Sequence, residues 1–158
     1  MGITKYPSNK MITYVLMLST QFPSYHIRAG QPTNFIDSIQ NKTKIHTIRT
    51  NYELWKKRFK KIDQGLAVLS VRYWKGIPYK SNQIESFVFD KSDGIGIEKI
   101  LFYDYFYSCQ IEDVGFSVSG LMIPKNDGLN SDDFENWFKG YDFSKPMAII
   151  HFTDYRYK

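Results

Sequence analysis

Cysteine occurs once in the 158 residues, at Cys109, which leaves no partner for an internal disulfide and excludes a multi-cysteine metal site. Histidine is almost as scarce. His26, His46 and His151 form no H-x-x-x-H pair and have no carboxylate at ligand spacing, so no metal and no other cofactor is expected. Long apolar runs are missing too. None approaches the roughly 18 residues of a membrane span, and the N-terminal apolar stretch, bordered by Lys10 and Thr13, is too short for a signal core. The expectation is a soluble, cytoplasmic protein with no membrane partner. Gly94 and Gly96 are not followed by the G-x-x-x-x-G-K-S/T pattern of a phosphate loop. No repeat period, linker or low-complexity tract divides the chain, so residues 1–158 read as one domain.

Acids are scarce in one window. Between Lys42 and Lys61 there are eight basic residues against the single acid Glu53, a local charge of +7 in a chain whose total is +5. A positive patch of this density suits a phosphate-bearing partner, although a solvated helix face accounts for a lysine-rich helix equally well. What the sequence has in abundance is aromatic side chains, 17% of all residues within a hydrophobic fraction of 42%. Such a composition builds a packed core and suits pleated, half-buried surfaces.

Taken in order, residues 1–10 read as a polar lead-in, and Met11 to Ser19 (MITYVLMLS) as a buried central strand. Phe22 to Gly30 reads as a loop carrying Tyr25, His26 and Arg28 as candidate ligand-binding groups. Thr33 is placed to cap a short helix over 34–41 with Phe35, Ile36 and Ile39 on its apolar side. Asn51 caps a second helix that ends near Gly65. Its Trp55, Phe59 and Ile62 share one face, while Lys56, Lys57, Lys60 and Lys61 share the other as candidates for a nucleic-acid backbone. Strands follow over 66–74, 83–89, 97–107 and 111–118, then a helix capped by Asn130 or Ser131, and a last strand over 147–152. Five or six strands with about three short helices imply an α+β fold, a small, strongly curved mixed sheet or barrel.

The stretch Lys44-Ile45-His46-Thr47-Ile48-Arg49 concentrates an amine, an imidazole, a hydroxyl and a guanidinium in six residues. Core packing alone does not account for it, so it reads as the floor of a polar pocket, with His46 and Arg49 as further ligand-binding candidates. Residues three apart on a regular strand face opposite sides, so Lys44 and Thr47 converge only if Lys44 precedes the strand.

The order of a short helix, a K-x-x-T-I-R strand, an acidic-Gly-Leu turn, a helix and a terminal apolar strand resembles the ASCH domain family of the PUA-like superfamily. The matching stretches are 35–49, 126–138 and 146–152, with the basic helix at about 51–65 as an insertion. The resemblance implies a small β-barrel associated with RNA. Some bacterial members are amidohydrolases that deacetylate acetylated cytidine, using a lysine, a threonine three residues later and a glutamate before the late helix. The first two fall on Lys44 and Thr47. The third falls on Asp127, one methylene shorter, which retracts the carboxylate by about 1.5 Å. The resemblance thus implies Thr47 as nucleophile, Lys44 as its activating base and Asp127 as proton donor to the leaving amine. The expected partner is RNA or a modified nucleoside, bound in this pocket. Amide hydrolysis of an acylated cytidine is the alternative, and a protein-binding adaptor a third class.

Overall fold

The computed structural model describes residues 11–158; the polar lead-in over 1–10 lies outside them. Strands β1 (Ile12–Met17), β3 (Ala67–Trp74) and β4 (Gln83–Phe89) form one sheet in the order β1-β3-β4. Strands β2 (His46–Arg49), β5 (Gly96–Tyr103), β6 (Ser108–Ile111), β7 (Val114–Ser117) and β8 (Met147–His151) form the other, in the order β2-β8-β5-β6-β7. Four helices connect them: α1 (Phe35–Gln40), α2 (Tyr52–Asp63), α3 (Ile123–Asn126) and α4 (Ser131–Phe138). The expected α+β class therefore holds, with two sheets, eight strands and four helices among the described residues. No helix among them is long and apolar enough to cross a membrane.

The two sheets differ in pairing. β1 runs parallel to β3 from Ile12 opposite Ala67 to Met17 opposite Arg72, which the intervening α1, β2 and α2 make topologically possible. Every pair in the five-stranded sheet is antiparallel. β8 is buried along its whole length, which explains the unbroken apolar run MAII: both of its faces are covered. β1, by contrast, is an edge strand with Ile12 exposed, not the central strand its composition implies. The central place goes to β3, whose Leu69 and Val71 are fully buried.

Helices begin where short polar side chains can cap them. The Asn51 side chain accepts from Leu54 N at 3.2 Å, and the Asn130 side chain from Asp133 N at 2.8 Å. At α1 the residue in the cap position is Asn34, with a left-handed φ of 60° and no side-chain cap bond. Thr33 instead ties the helix entry to the end of β1: its hydroxyl donates to Ser19 O at 2.7 Å and accepts from Phe35 N at 3.4 Å. Trp55, Phe59 and Ile62 of α2 are buried, as their spacing requires. Phe134 and Phe138 of α4 join Phe102 and Phe106 in an aromatic cluster of tilted and edge-on pairs. Each such ring stabilises the fold by about 1.5–3 kcal/mol through burial.

Two expected strands are interrupted. The stretch over 97–107 stops at Tyr103, because Asp104, Tyr105 and Phe106 all take positive φ in a single tight turn. The stretch over 111–118 begins at the last residue of β6, turns on Glu112 and Asp113 with φ of 49° and 68°, and pairs back as β7. Two consecutive positive φ values fit the type I′ turn that matches strand twist, but Glu-Asp is not the usual Asn-Gly or Asp-Gly signature.

Candidate functional site

The site lies where β1 and β2, edge strands of different sheets, approach each other. Arg49, half-buried on β2, donates from Nη2 to Met17 O on β1 at 2.8 Å and from Nη1 to Thr47 Oγ1 at the same distance. A cavity of about 230 Å³ opens beside this bridge. Its polar walls are Lys44, Thr47, Arg49, Asp127, Ser19 and the Tyr141 end of the chain after α4. Phe35, Trp137 and Phe138 are among its apolar ones. At about 30 Å³ per water, it has room for a single planar ring with a small substituent.

Lys44 sits in the loop before β2, not on the strand, so it reaches the face of Thr47 despite the odd spacing. Its backbone N–H donates to Ser38 O at the end of α1, and the next residue donates to Asn126 O. The amine is almost fully buried. It donates to Asp127 O at 2.6 Å, lies 3.4 Å from Asp127 Oδ1 and stands 4.3 Å from the Phe35 ring centre. Burial lowers its pKa to about 8, and the Arg49 guanidinium pushes the same way, while Asp127 opposes both. The neighbouring cation is thus Arg49; the lysines of α2 are not among the charges that act on it. A lysine so placed is partly an amine at neutral pH and can accept a proton. Among the described residues Lys44 and Thr47 share the cavity without a direct hydrogen bond. Thr47 Oγ1 already accepts from Arg49, so its own proton is left to be donated into the cavity.

Asp127 follows α3 and is buried at the back of the site. Its Oδ1 accepts from His46 Nδ1 at 3.1 Å. His46 Nε2 lies 2.6 Å from Tyr157 Oη, which also accepts from Asn126 Nδ2 at 2.9 Å. The pattern fits a neutral imidazole, with Tyr157 donating to Nε2 and Nδ1–H pointing at the carboxylate. Burial pushes the His46 pKa down, which favours that neutral form. His46 faces away from the cavity and lies behind Asp127, so it can orient the carboxylate but does not meet a ligand.

The remaining candidates separate. Tyr25, His26 and Arg28 are not brought to the cavity: their loop docks on α4. Tyr25 Oη donates to Trp137 O at 2.7 Å, His26 Nε2 lies 3.0 Å from Asp133 O, and Arg28 Nη1 meets Asp133 Oδ2 at 2.5 Å. His26 Nδ1 accepts from Arg28 N, so Nε2 carries the proton. Their contribution to the site is indirect, holding the helix that presents Trp137 and Phe138. Lys56, Lys57, Lys60 and Lys61 lie together on the exposed face of α2 and outside the cavity wall. Trp55 is buried beneath Arg58, whose guanidinium lies 4.6 Å from the ring centre. Wall and support residues that escaped sequence reasoning include Ser19, Tyr141 and Tyr157. None belongs to a motif, and only the spatial approach of distant segments brings them in. Among the described residues no group of three or more His, Cys, Asp or Glu side chains is placed to hold a metal ion.

Neither a family model, nor a curated protein, nor a solved structure matches this chain.

Proposed function

We propose that the cavity binds the acylated base of a modified, cytidine-type nucleoside and cleaves its exocyclic amide, and that the two sheets belong to an ASCH-like, PUA-like barrel. One observation carries the reading: Lys44, Thr47 and Asp127, separated by up to 83 residues and each buried, line a single small cavity. The space suits a pyrimidine ring against Phe35 and Trp137, with the acyl group toward Thr47.

The chemistry follows from the hydrogen bonds. Thr47 Oγ attacks the acyl carbon and gives its proton to the Lys44 amine, while Arg49, already 2.8 Å from Oγ, steadies the negative charge. The tetrahedral intermediate then expels the nitrogen. That nitrogen takes the proton from Lys44, relayed by Asp127, whose Oδ1 lies 3.4 Å from Nζ. Water, deprotonated by Lys44, attacks the acyl-threonine; the C–Oγ bond breaks, Lys44 returns that proton to Thr47 Oγ, and acetate leaves beside the free nucleoside. The shorter carboxylate is compensated here by its setting, since the backbone carbonyl of Asp127 also holds Lys44 and His46 fixes Oδ1.

The test is release of acetate and cytidine from N4-acetylcytidine. Turnover is expected to vanish in Lys44→Ala and Thr47→Val, and to survive in part in Thr47→Ser. Unchanged turnover in Lys44→Ala would refute the assignment.

The exposed lysine face of α2 favours a second reading, in which the same nucleoside is presented within an RNA whose phosphates meet Lys56, Lys57, Lys60 and Lys61.

A further inference from the structure

A second, larger cleft of about 720 Å³ runs beside the Lys44 cavity, between the segment over 17–23 and the hairpin that joins β3 to β4. Met17 and Ser19 are walls of both. On the hairpin side it is lined by Trp74, Lys75, Ile77 and Tyr79. The Trp74 and Tyr79 ring centres are 5.1 Å apart, and Tyr79 is 89% exposed with a left-handed φ of 65°. A non-glycine residue in that conformation holding a large aromatic ring in water is an arrangement that core packing does not explain. Among the described residues Lys75 is the only charged one in the wall, and no carboxylate lines the cleft; Lys80 follows on the same hairpin.

We propose that this cleft is the subsite for the nucleotide adjoining the one in the Lys44 cavity, so that the site takes its nucleoside as part of a single RNA strand as well as alone. The inference rests on the nucleoside reading of that cavity and specifies its substrate. Three features converge on this occupant. Aromatic faces stack any base, which is how unpaired strands are held. The cations without carboxylates match a phosphodiester, which carries a negative charge at every residue as an ordinary protein strand does not. The shared wall of Met17 and Ser19 places the two sites side by side, as successive nucleotides require.

The experiment compares wild type with Tyr79→Ala, whose exposed ring can be removed without disturbing the core. Two probes are titrated: free N4-acetylcytidine and an unmodified single-stranded hexaribonucleotide containing one cytidine. Tyr79→Ala is expected to weaken the hexamer by about 5- to 150-fold, the loss of one base stack, and to leave the nucleoside unchanged. A Trp74→Ala variant is expected to act in the same direction. Hexamer affinity equal in wild type and Tyr79→Ala, or no hexamer binding at low salt, overturns the inference. The nucleoside titration decides the cavity reading separately, because Tyr79 does not line that cavity. Equal weakening of both probes also overturns it, since it would show a general loss of structure.

Discussion

Gly128 lies directly against the stem of Lys44: a Cβ built on it would stand 3.1 Å from Lys44 Cβ, 3.2 Å from Cδ and 3.3 Å from Cγ. Its φ of +83° is itself a conformation that glycine adopts without strain. The acidic-Gly-Leu turn therefore does two things, placing Asp127 and letting the lysine run flush over the backbone toward it. Gly128→Ala is expected to cost about 1–2 kcal/mol of stability from the left-handed backbone. It should also displace the Lys44 amine, with turnover falling on the order of a hundredfold. Chemical denaturation and acetylcytidine hydrolysis measure the two effects. A folded variant with full activity would show that Lys44 has no need of its present path.

The depressed Lys44 pKa has consequences in both activity and stability. As a base it must be neutral, so turnover is expected to climb with pH and level off above about 8. For stability, the folded value of about 8 lies below the ordinary 10.5, so between those limits the unfolded chain holds a proton the native one lacks. Stability from this group therefore rises with pH across that window. The penalty of about 3 kcal/mol is fully present below pH 8. Urea unfolding at pH 7.5 and 10 should show the rise in wild type and a reduced one in Lys44→Met. Equal slopes would mean that the amine titrates normally.

The sequence made much of this site legible because its chemistry is local. Lys44, Thr47 and Arg49 fall within six residues, and strand parity required Lys44 to precede the strand if it was to meet Thr47. The cap at Asn51 was equally readable, and the last helix's cap was narrowed to Asn130 or Ser131, since a short polar side chain preceding an apolar stripe has a direct hydrogen-bonding role. What could not be read depends on distant approach. Tyr157 and Ser19 enter through tertiary packing, and the Tyr25–Arg28 loop could face a ligand or a helix with the same composition. The helix won because Asp133, buried on α4, offers a carboxylate and a carbonyl to Arg28 and His26. The Glu112-Asp113 hairpin was invisible because the pair lacks the glycine that marks most two-residue hairpin turns.

The lysines of α2 give a charge effect that is separable from the cavity. They are exposed and outside its wall, so replacing Lys56, Lys57, Lys60 and Lys61 with glutamine should leave the fold and acetylcytidine turnover intact. Binding of single-stranded RNA is expected to weaken, and its dependence on salt to flatten. On a single strand the logarithmic salt slope changes by about 0.7 for each phosphate that is no longer neutralised. A parallel salt titration of both proteins checks this, and an unchanged slope would remove α2 from the interface.

Acid sensitivity should originate behind the site, at His151 on β8. Its Nε2 lies 2.9 Å from Glu98 Oε1, a carboxylate that can only accept, so the ring proton sits on Nε2. Glu98 is committed further, accepting from Tyr157 N and Lys158 N at 2.8 and 3.0 Å. That leaves His151 Nδ1 buried with no hydrogen-bond partner among the described residues. A second proton would have to enter there, and burial, joined by the Arg156 guanidinium and opposed by Glu98, lowers the pKa to about 4. The folded value lies below the ordinary 6.5, so as pH falls through that window the unfolded chain takes up a proton that the native chain refuses. Stability from His151 is complete above pH 6.5 and declines toward pH 4, by about 3 kcal/mol in all. Glu98 has a pKa lowered from 4.5 even though burial would raise it, because His151, Tyr157 and Lys158 all donate to it, so its loss adds only below that value. Denaturant unfolding between pH 7 and 4.5 therefore leaves Glu98 out and reads the buried histidines, His151 together with His46, whose burial acts in the same sense. His151→Gln keeps a donor for Glu98 but cannot titrate, and is expected to flatten the decline over that range; an undiminished slope would place the acid-sensitive group elsewhere.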